Sequence, residues 1–282
     1  MALPRESTAC FNGSDKTPIY FRFTEVPNER ARLVIAHGLG EHSGRYGHIR
    51  ERLAEKGIST WLPDHRGHGQ SSGKRGHINS MDEYLLDLRQ MLAIARKDMP
   101  ETRKCFLLGH SMGGLIALNY AIKHPNKIDG VIASAPALAP AYPIPKLKVL
   151  LGRVMSVLYP TLAFNNELDP NRLSHDPAVV SDYNNDPLVH RQVTARWFAE
   201  FSRAMSETTA SAPELQKPVL LQVGTDDGLV APEAVRQFFD HLTVTDKSLR
   251  TYHGLYHEIY NETAKDREKV LKDLEKWLDE HI

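Results

Sequence analysis

Short, almost uninterrupted apolar runs alternate along this chain with longer amphipathic segments. The runs fall at residues 32–36, 57–62, 104–108, 130–133, 218–223 and 249–252. Helical spacing of apolar positions marks residues 46–56, 81–98, 112–123, 232–242 and 262–280. Continuous apolar strands separated by helices predict an α/β fold: a mostly parallel sheet with helices on both faces. At the front, residues 8–11 and 17–23 flank Asn12-Gly13-Ser14-Asp15 and predict a hairpin.

One interval breaks the rhythm. Residues 136–212 give no strand signal; they open with Pro140, Pro143 and Pro145 and then turn helical. Leu147, Leu150, Leu151, Val154 and Leu158 form a stripe, widened by Val149, Met155 and Val157. The pattern predicts a helical insertion before the antepenultimate or penultimate strand, on the side where the strands end. Open α/β sheets bind ligands at that edge, so a lid is expected. The chain then divides into a core, 1–136 with 213–282, and a lid, 137–212.

Length and charge narrow the class. A chain of 282 residues holds one large domain with a sizeable insertion. Its 35 basic and 35 acidic residues balance, which argues against a nucleic-acid partner and against purely electrostatic membrane attachment. Cys10 and Cys105 are too few for a disulfide framework, and Cys105 reads as a small packed hydrophobe. The segment Met1-Ala2-Leu3-Pro4-Arg5-Glu6 lacks an apolar signal region. No run approaches the roughly 20 apolar residues of a membrane span. A cytoplasmic enzyme is expected.

Chemistry enters with Gly109-His110-Ser111-Met112-Gly113-Gly114, set between the apolar run Cys105-Phe106-Leu107-Leu108 and a helical pattern. A serine on a sharp strand-to-helix turn projects its oxygen outward, and the glycines admit the turn. Ser111 is therefore a candidate nucleophile. It needs a base, an acid to orient that base, and N–H donors for the oxyanion. In this fold the order is Ser, Asp, His. After the strand ending at Gly224, Asp226 and Asp227 are both candidates for the acid. After the last strand, His257 lies in a loop and is a better base than His253, which sits at the strand end.

The oxyanion donors should be the amide of Met112 and one from His37-Gly38-Leu39-Gly40-Glu41-His42, where flanking glycines let Leu39 turn inward. Asp64-His65-Arg66-Gly67-His68-Gly69-Gln70-Ser71 is rich in histidine, but a hydrolytic zinc site needs three converging ligands. It reads as a polar turn beneath the site. No metal and no cofactor are expected.

These motifs, with Ser43-Gly44-Arg45-Tyr46 continuing the first loop, resemble the monoacylglycerol lipases of the serine α/β-hydrolase superfamily, a group that includes lysophospholipases. The likeness runs from about Thr17 to the C-terminus and includes Asp182-Tyr183-Asn184-Asn185-Asp186-Pro187-Leu188. It implies an α/β-hydrolase fold. Its acid stands three residues past the glycine ending the strand, which selects Asp227. It implies His257 as base, and Leu39 and Met112 as oxyanion amides. Residues matching those that hold the glycerol end are Glu41, Arg45 and Tyr183. Two positions depart. Some members carry a second histidine where this chain has Tyr260, whose hydroxyl could stand in as a hydrogen-bond partner. A cysteine of those members is His190 here.

The reaction implied is cleavage of a monoacylglycerol, a small amphipathic lipid ester, through an acyl-enzyme on Ser111. The 147–158 stripe would line the acyl tunnel and touch micelles or bilayers transiently. Lysophospholipid cleavage and general short-chain esterase activity use the same machinery. A binding protein of this fold would normally lack a triad member, and none is missing here.

Overall fold

The computed structural model describes residues 6–282. The Met1–Arg5 part of the signal-region reading lies outside them. The expected hairpin forms from β1 (Ser7–Asn12) and β2 (Pro18–Thr24), paired antiparallel from Ser7–Phe23 to Asn12–Pro18. Then follow β3 (Ala31–Ala36), α1 (Gly47–Glu55), β4 (Ile58–Pro63), α2 (Met81–Ala95), β5 (Lys104–His110), α3 (Met112–Lys123) and β6 (Gly130–Ser134). The insertion contributes α4 (Lys146–Leu158), β7 (Ala163–Asn165), α5 (Pro177–Asn185), β8 (Gln192–Thr194) and α6 (Ala195–Ala210). The chain closes with β9 (Val219–Gly224), α7 (Pro232–His241), β10 (Lys247–Tyr252) and α8 (Ala264–His281).

Eight strands form one sheet in the order β1-β2-β4-β3-β5-β6-β9-β10, parallel from β4 onward. Successive residues of a strand point to opposite faces, and here both faces are covered. On one side Val34, Leu107, Val131 and Leu221 pack with Leu88, Leu115 and Phe238. On the other, Leu33, Phe106, Ile132 and Leu220 pack with Leu53 and Leu274. Cys105 sits in the first of these clusters, and burial pushes its thiol up to about 12, so it stays protonated at neutral pH. The mostly parallel sheet with helices on both faces, expected from the apolar rhythm, is the architecture observed.

The insertion departs from β6 and returns at β9, before the penultimate strand of the sheet. It is not purely helical. β7 and β8 pair antiparallel, Ala163 with Thr194 and Asn165 with Gln192. Three-residue strands carry too little alternation to register as a pattern. The insertion is tied to the core at both roots. Outbound, Ala141 N donates to Leu229 O (3.0 Å) and Ala231 N to Ala139 O (3.0 Å). Inbound, His190 N donates to Gly40 O (2.9 Å) and Thr194 N to Gly76 O (2.9 Å).

The face of α4 needs correction. Its backbone at Gly152 abuts α6, where a Cβ would lie 2.9 Å from Phe198, and Ser156 is buried while Val149 is half-buried. Leu147, Leu150, Leu151, Val154, Val157 and Leu158 turn outward instead, with Leu147 76% and Val157 71% exposed. Periodicity identifies an apolar face but does not say what covers it.

Candidate active site

Ser111 occupies the turn between β5 and α3 at φ 53°, ψ −116°. A non-glycine residue there holds about 1–3 kcal/mol of strain, so the surroundings must enforce it. They do so by close approach. A Cβ on Gly109 would meet Gly113 O at 2.1 Å, and one on Gly113 would meet Ala36 O at 2.1 Å. Ser111 N donates to Ser134 O (2.9 Å), and Ser111 O accepts from Leu115 N and Ala137 N (3.0 Å each). The backbone is fixed from three directions while the side chain faces a cavity of about 600 Å³.

His257, in the loop after β10, lines the same cavity and is buried. Its Nδ1 lies 2.7 Å from Asp227 Oδ2. Asp227 Oδ1 accepts from Leu229 N and Val230 N, both at 2.9 Å, so the carboxylate cannot swing away. Asp226 is exposed and accepts from the Thr225 hydroxyl; His253 is exposed as well. Burial alone would lower the His257 pKa. The Asp227 carboxylate, its hydrogen bond and the nearby Glu258 and Glu41 outweigh that and raise it above 6.5. Burial pushes Asp227 upward, but His257 and the two amides hold it below its ordinary value.

Leu39 and Met112 both border the cavity beside Ser111. Met112 opens α3, and Leu39 precedes Gly40, whose φ of 76° turns the loop. Among the described residues, neither amide donates to another backbone group outside its own helix or strand. Beneath this loop, His37 Nε2 accepts from His65 N (2.8 Å) while Nδ1 donates to Gly38 O (2.8 Å), which fixes a neutral ring. The His65 and His68 rings pack against it at a tilt, with centroids 4.4 and 5.5 Å away.

The three polar residues ascribed to the alcohol end divide. Glu41 and Tyr183 line the cavity; Arg45 does not. Glu41 braces the loop that carries Leu39, accepting from Gly38 N (2.5 Å), Tyr46 Oη (2.7 Å) and Arg45 (2.9 Å). Arg45 stands behind this wall, its guanidinium 5.0 Å from the centre of the Tyr183 ring. Burial and then Glu41 push the Tyr183 hydroxyl up to about 12. Tyr260 is buried in the core on the far side of the sheet, donating to Gln222 Oε1, and takes no part in the cavity. His190 lies under Gly40 with its ring 4.7 Å from that of His68.

Comparison with known proteins places the chain in a family. Residues 27–264 match the family model described as serine aminopeptidase, S33. A monoacylglycerol lipase of Mycolicibacterium smegmatis is 34% identical over 268 residues, covering 94% of this chain and 93% of that protein. The chain belongs to the monoacylglycerol lipase family. A solved monoacylglycerol lipase from Paleococcus ferrophilus superposes at a TM-score of 0.86 with 38% identity, covering 94% of this chain and 99% of that one. An uncharacterized abhydrolase domain-containing protein of Dictyostelium discoideum is 37% identical over 278 residues, yet this chain spans only 28% of its length.

Motif reading for the family passed over two groups. Glu258 directly follows His257, lines the cavity, and receives both Arg45 nitrogens at 2.5 and 2.8 Å. A carboxylate next to a candidate base was a visible signal. The apolar wall is the second: Trp197, Phe198, Phe201 and Met205, one stripe of α6, line the cavity where, among the described residues, α4 contributes only Lys148. His110 also borders it, held neutral by burial and by His257, its pKa down to about 4.

Proposed function

We propose that this protein is a serine hydrolase that cleaves the ester bond of monoacylglycerols to fatty acid and glycerol. The observation that carries the reading is the 2.7 Å contact of His257 Nδ1 with a fixed Asp227 carboxylate, beside a strained Ser111, at the end of an apolar cavity. With Nδ1–H donated to Asp227, the neutral ring keeps Nε2 as the base. His257 takes the Ser111 proton as Oγ attacks the ester carbon, and Asp227 stabilises the imidazolium. The Leu39 and Met112 amides receive the oxyanion. His257 then protonates the departing glycerol oxygen, and water releases the acid by the same steps.

The apolar stripe of α6 supports an acyl-chain site, with Glu41 and Tyr183 toward the alcohol. The relatives named as monoacylglycerol lipases support the same choice. Among the described residues no helix is long and apolar enough to cross a membrane. The outward face of α4 is the surface for transient contact with micelles or bilayers, and residues 137–212 act as a lid. The family description names an aminopeptidase, and carboxylates in the cavity could bind an α-ammonium group, so an aminoacyl p-nitroanilide belongs in the test.

The test is a panel on wild type and Ser111→Ala: monoacylglycerol, lysophosphatidylcholine, p-nitrophenyl esters of graded length and the anilide. The expected result is fastest turnover of monoacylglycerol, lost with Ser111, and fluorophosphonate labelling at Ser111 alone. Label elsewhere on active protein sinks the nucleophile assignment. Faster cleavage of the anilide sinks the substrate assignment.

A further inference from the structure

The alcohol end of the cavity carries an unusual charge arrangement. Two carboxylates, Glu41 and Glu258, line it and share Nη1 of one guanidinium, and that guanidinium does not line it. Arg45 donates to both, so all three groups are ordered and buried. Burial works against the Glu258 charge, but Arg45 dominates and brings its pKa down to about 2, so it is an anion at every pH of interest. With Asp227 just beyond, this end holds three carboxylates against one cation. His110, the ring beside them, is neutral.

The cations that do border the cavity lie elsewhere. Lys148 is paired with Glu167 at 2.7 Å, and both are exposed on the insertion. Arg172 is exposed and lies along Gly228. Neither neutralises the Glu41–Glu258 pole. A vicinal diol suits such a pole, because hydroxyls donate to the carboxylate lone pairs that Arg45, Gly38, Tyr46 and Asn261 leave open, on Glu41 Oε2 and Glu258 Oε1. A phosphate does not, because it brings like charge into a site of low dielectric.

We propose that Glu258, held by Arg45, is a specificity-determining residue: with Glu41 it admits neutral polyol esters and excludes esters whose alcohol carries a phosphate. The inference deepens the monoacylglycerol reading and rests on it. Specificity arises as a difference between substrates, and a repulsive group is an effective way to produce one. A further consequence is local. Glu258 also contributes to the raised pKa of His257, so its removal should shift the base as well as the selectivity.

The experiment uses two short substrates that stay monomeric, 1-hexanoylglycerol and 1-hexanoylglycerol 3-phosphate, with p-nitrophenyl butyrate as a reporter of triad integrity. Wild type should prefer the neutral ester by about 100-fold or more in kcat/KM, and Glu258→Gln should narrow that ratio by about tenfold or more, tenfold being the effect of one charge about 12 Å away at an effective dielectric near 20. The gain should come on the phosphorylated ester, while the p-nitrophenyl rate reports how far the triad itself is disturbed. In the same variant the acidic limb of the pH–rate profile should move to lower pH. Should Glu258→Gln fail to fold, the wild-type ratio is measured against salt, where screening should shrink it. Equal wild-type rates on the two hexanoyl esters overturn the inference but leave the monoacylglycerol reading intact. So does a Glu258→Gln ratio equal to that of wild type in folded protein. Cleavage of p-nitrophenyl butyrate with no cleavage of 1-hexanoylglycerol overturns the reading beneath it.

Discussion

Acid should unfold this protein through its imidazoles before its carboxylates. His37, His65, His68 and His110 are all buried, and burial is the largest influence lowering each of them. His37 titrates at about 3 and His110 at about 4. In the unfolded chain each returns to about 6.5. Below that value the unfolded state binds protons the folded state refuses, so stability falls as pH falls. His37 and His110 each cost about 1.4 kcal/mol per pH unit between 6.5 and their folded values, hence roughly 2 kcal/mol each and roughly 4 kcal/mol together by pH 5, with His65 and His68 acting in the same direction. That is a large part of the stability of a typical domain, about 5–15 kcal/mol. His257 opposes the trend, because its raised pKa favours the folded state as it gains a proton. Glu258 adds its loss only below about 4.5. Urea unfolding followed by circular dichroism at pH 7, 6 and 5 measures the slope. His68→Asn, which keeps a donor for Arg66 O, should flatten it by about one proton. A stability at pH 5 within about 1 kcal/mol of that at pH 7 would refute the reasoning.

Other outcomes follow from the same geometry. Asp227→Asn should reduce kcat by about 10³–10⁴-fold with little change in fold, since the ring loses its orientation and tautomer; stopped assays on a soluble ester beside circular dichroism check it. The kcat/KM profile of wild type should fall on the acid side with an inflection above 6.5, where the raised His257 becomes protonated, and a rate flat from pH 8 to 5.5 contradicts it. Gly113→Ala should destabilise by about 3 kcal/mol or more, because its Cβ meets the Ala36 carbonyl at 2.1 Å; thermal melting measures it. Leu147→Ser with Val157→Ser should slow hydrolysis of micellar monoacylglycerol while sparing a monomeric ester, and an equal loss on both would remove the outward face from interfacial contact.

The sheet was legible because its strands are buried on both faces, and a short continuous apolar run such as 104–108 suits a covered parallel strand better than a half-exposed one. Order along the chain identified candidate positions for Ser111, Asp227 and His257, since strand ends mark the sheet edge where they meet. β7 and β8 were not legible, being set by backbone pairing between residues far apart in sequence. The 147–158 stripe was expected to line the acyl tunnel, and α6 lines the cavity instead, for a related reason. Both helices are amphipathic, and only packing reveals that Phe198 and Phe201 face inward while Leu147 and Leu150 face out. Arg45 reads as a ligand-binding cation in sequence; the chain spends its charge on Glu258 instead, a pairing across 213 positions.

The two roots of the insertion also define a cassette. Its outbound root is bonded beside the loop that carries Asp227, and its inbound root beside the loop that carries Leu39. Exchange of chain-length or head-group preference between relatives should therefore transplant residues 142–189 and leave 139–141 and 190–194 with the recipient. A graft cut outside those limits would import a foreign strap against Gly40 and Val230, and would disturb the loops carrying Asp227 and Leu39 together.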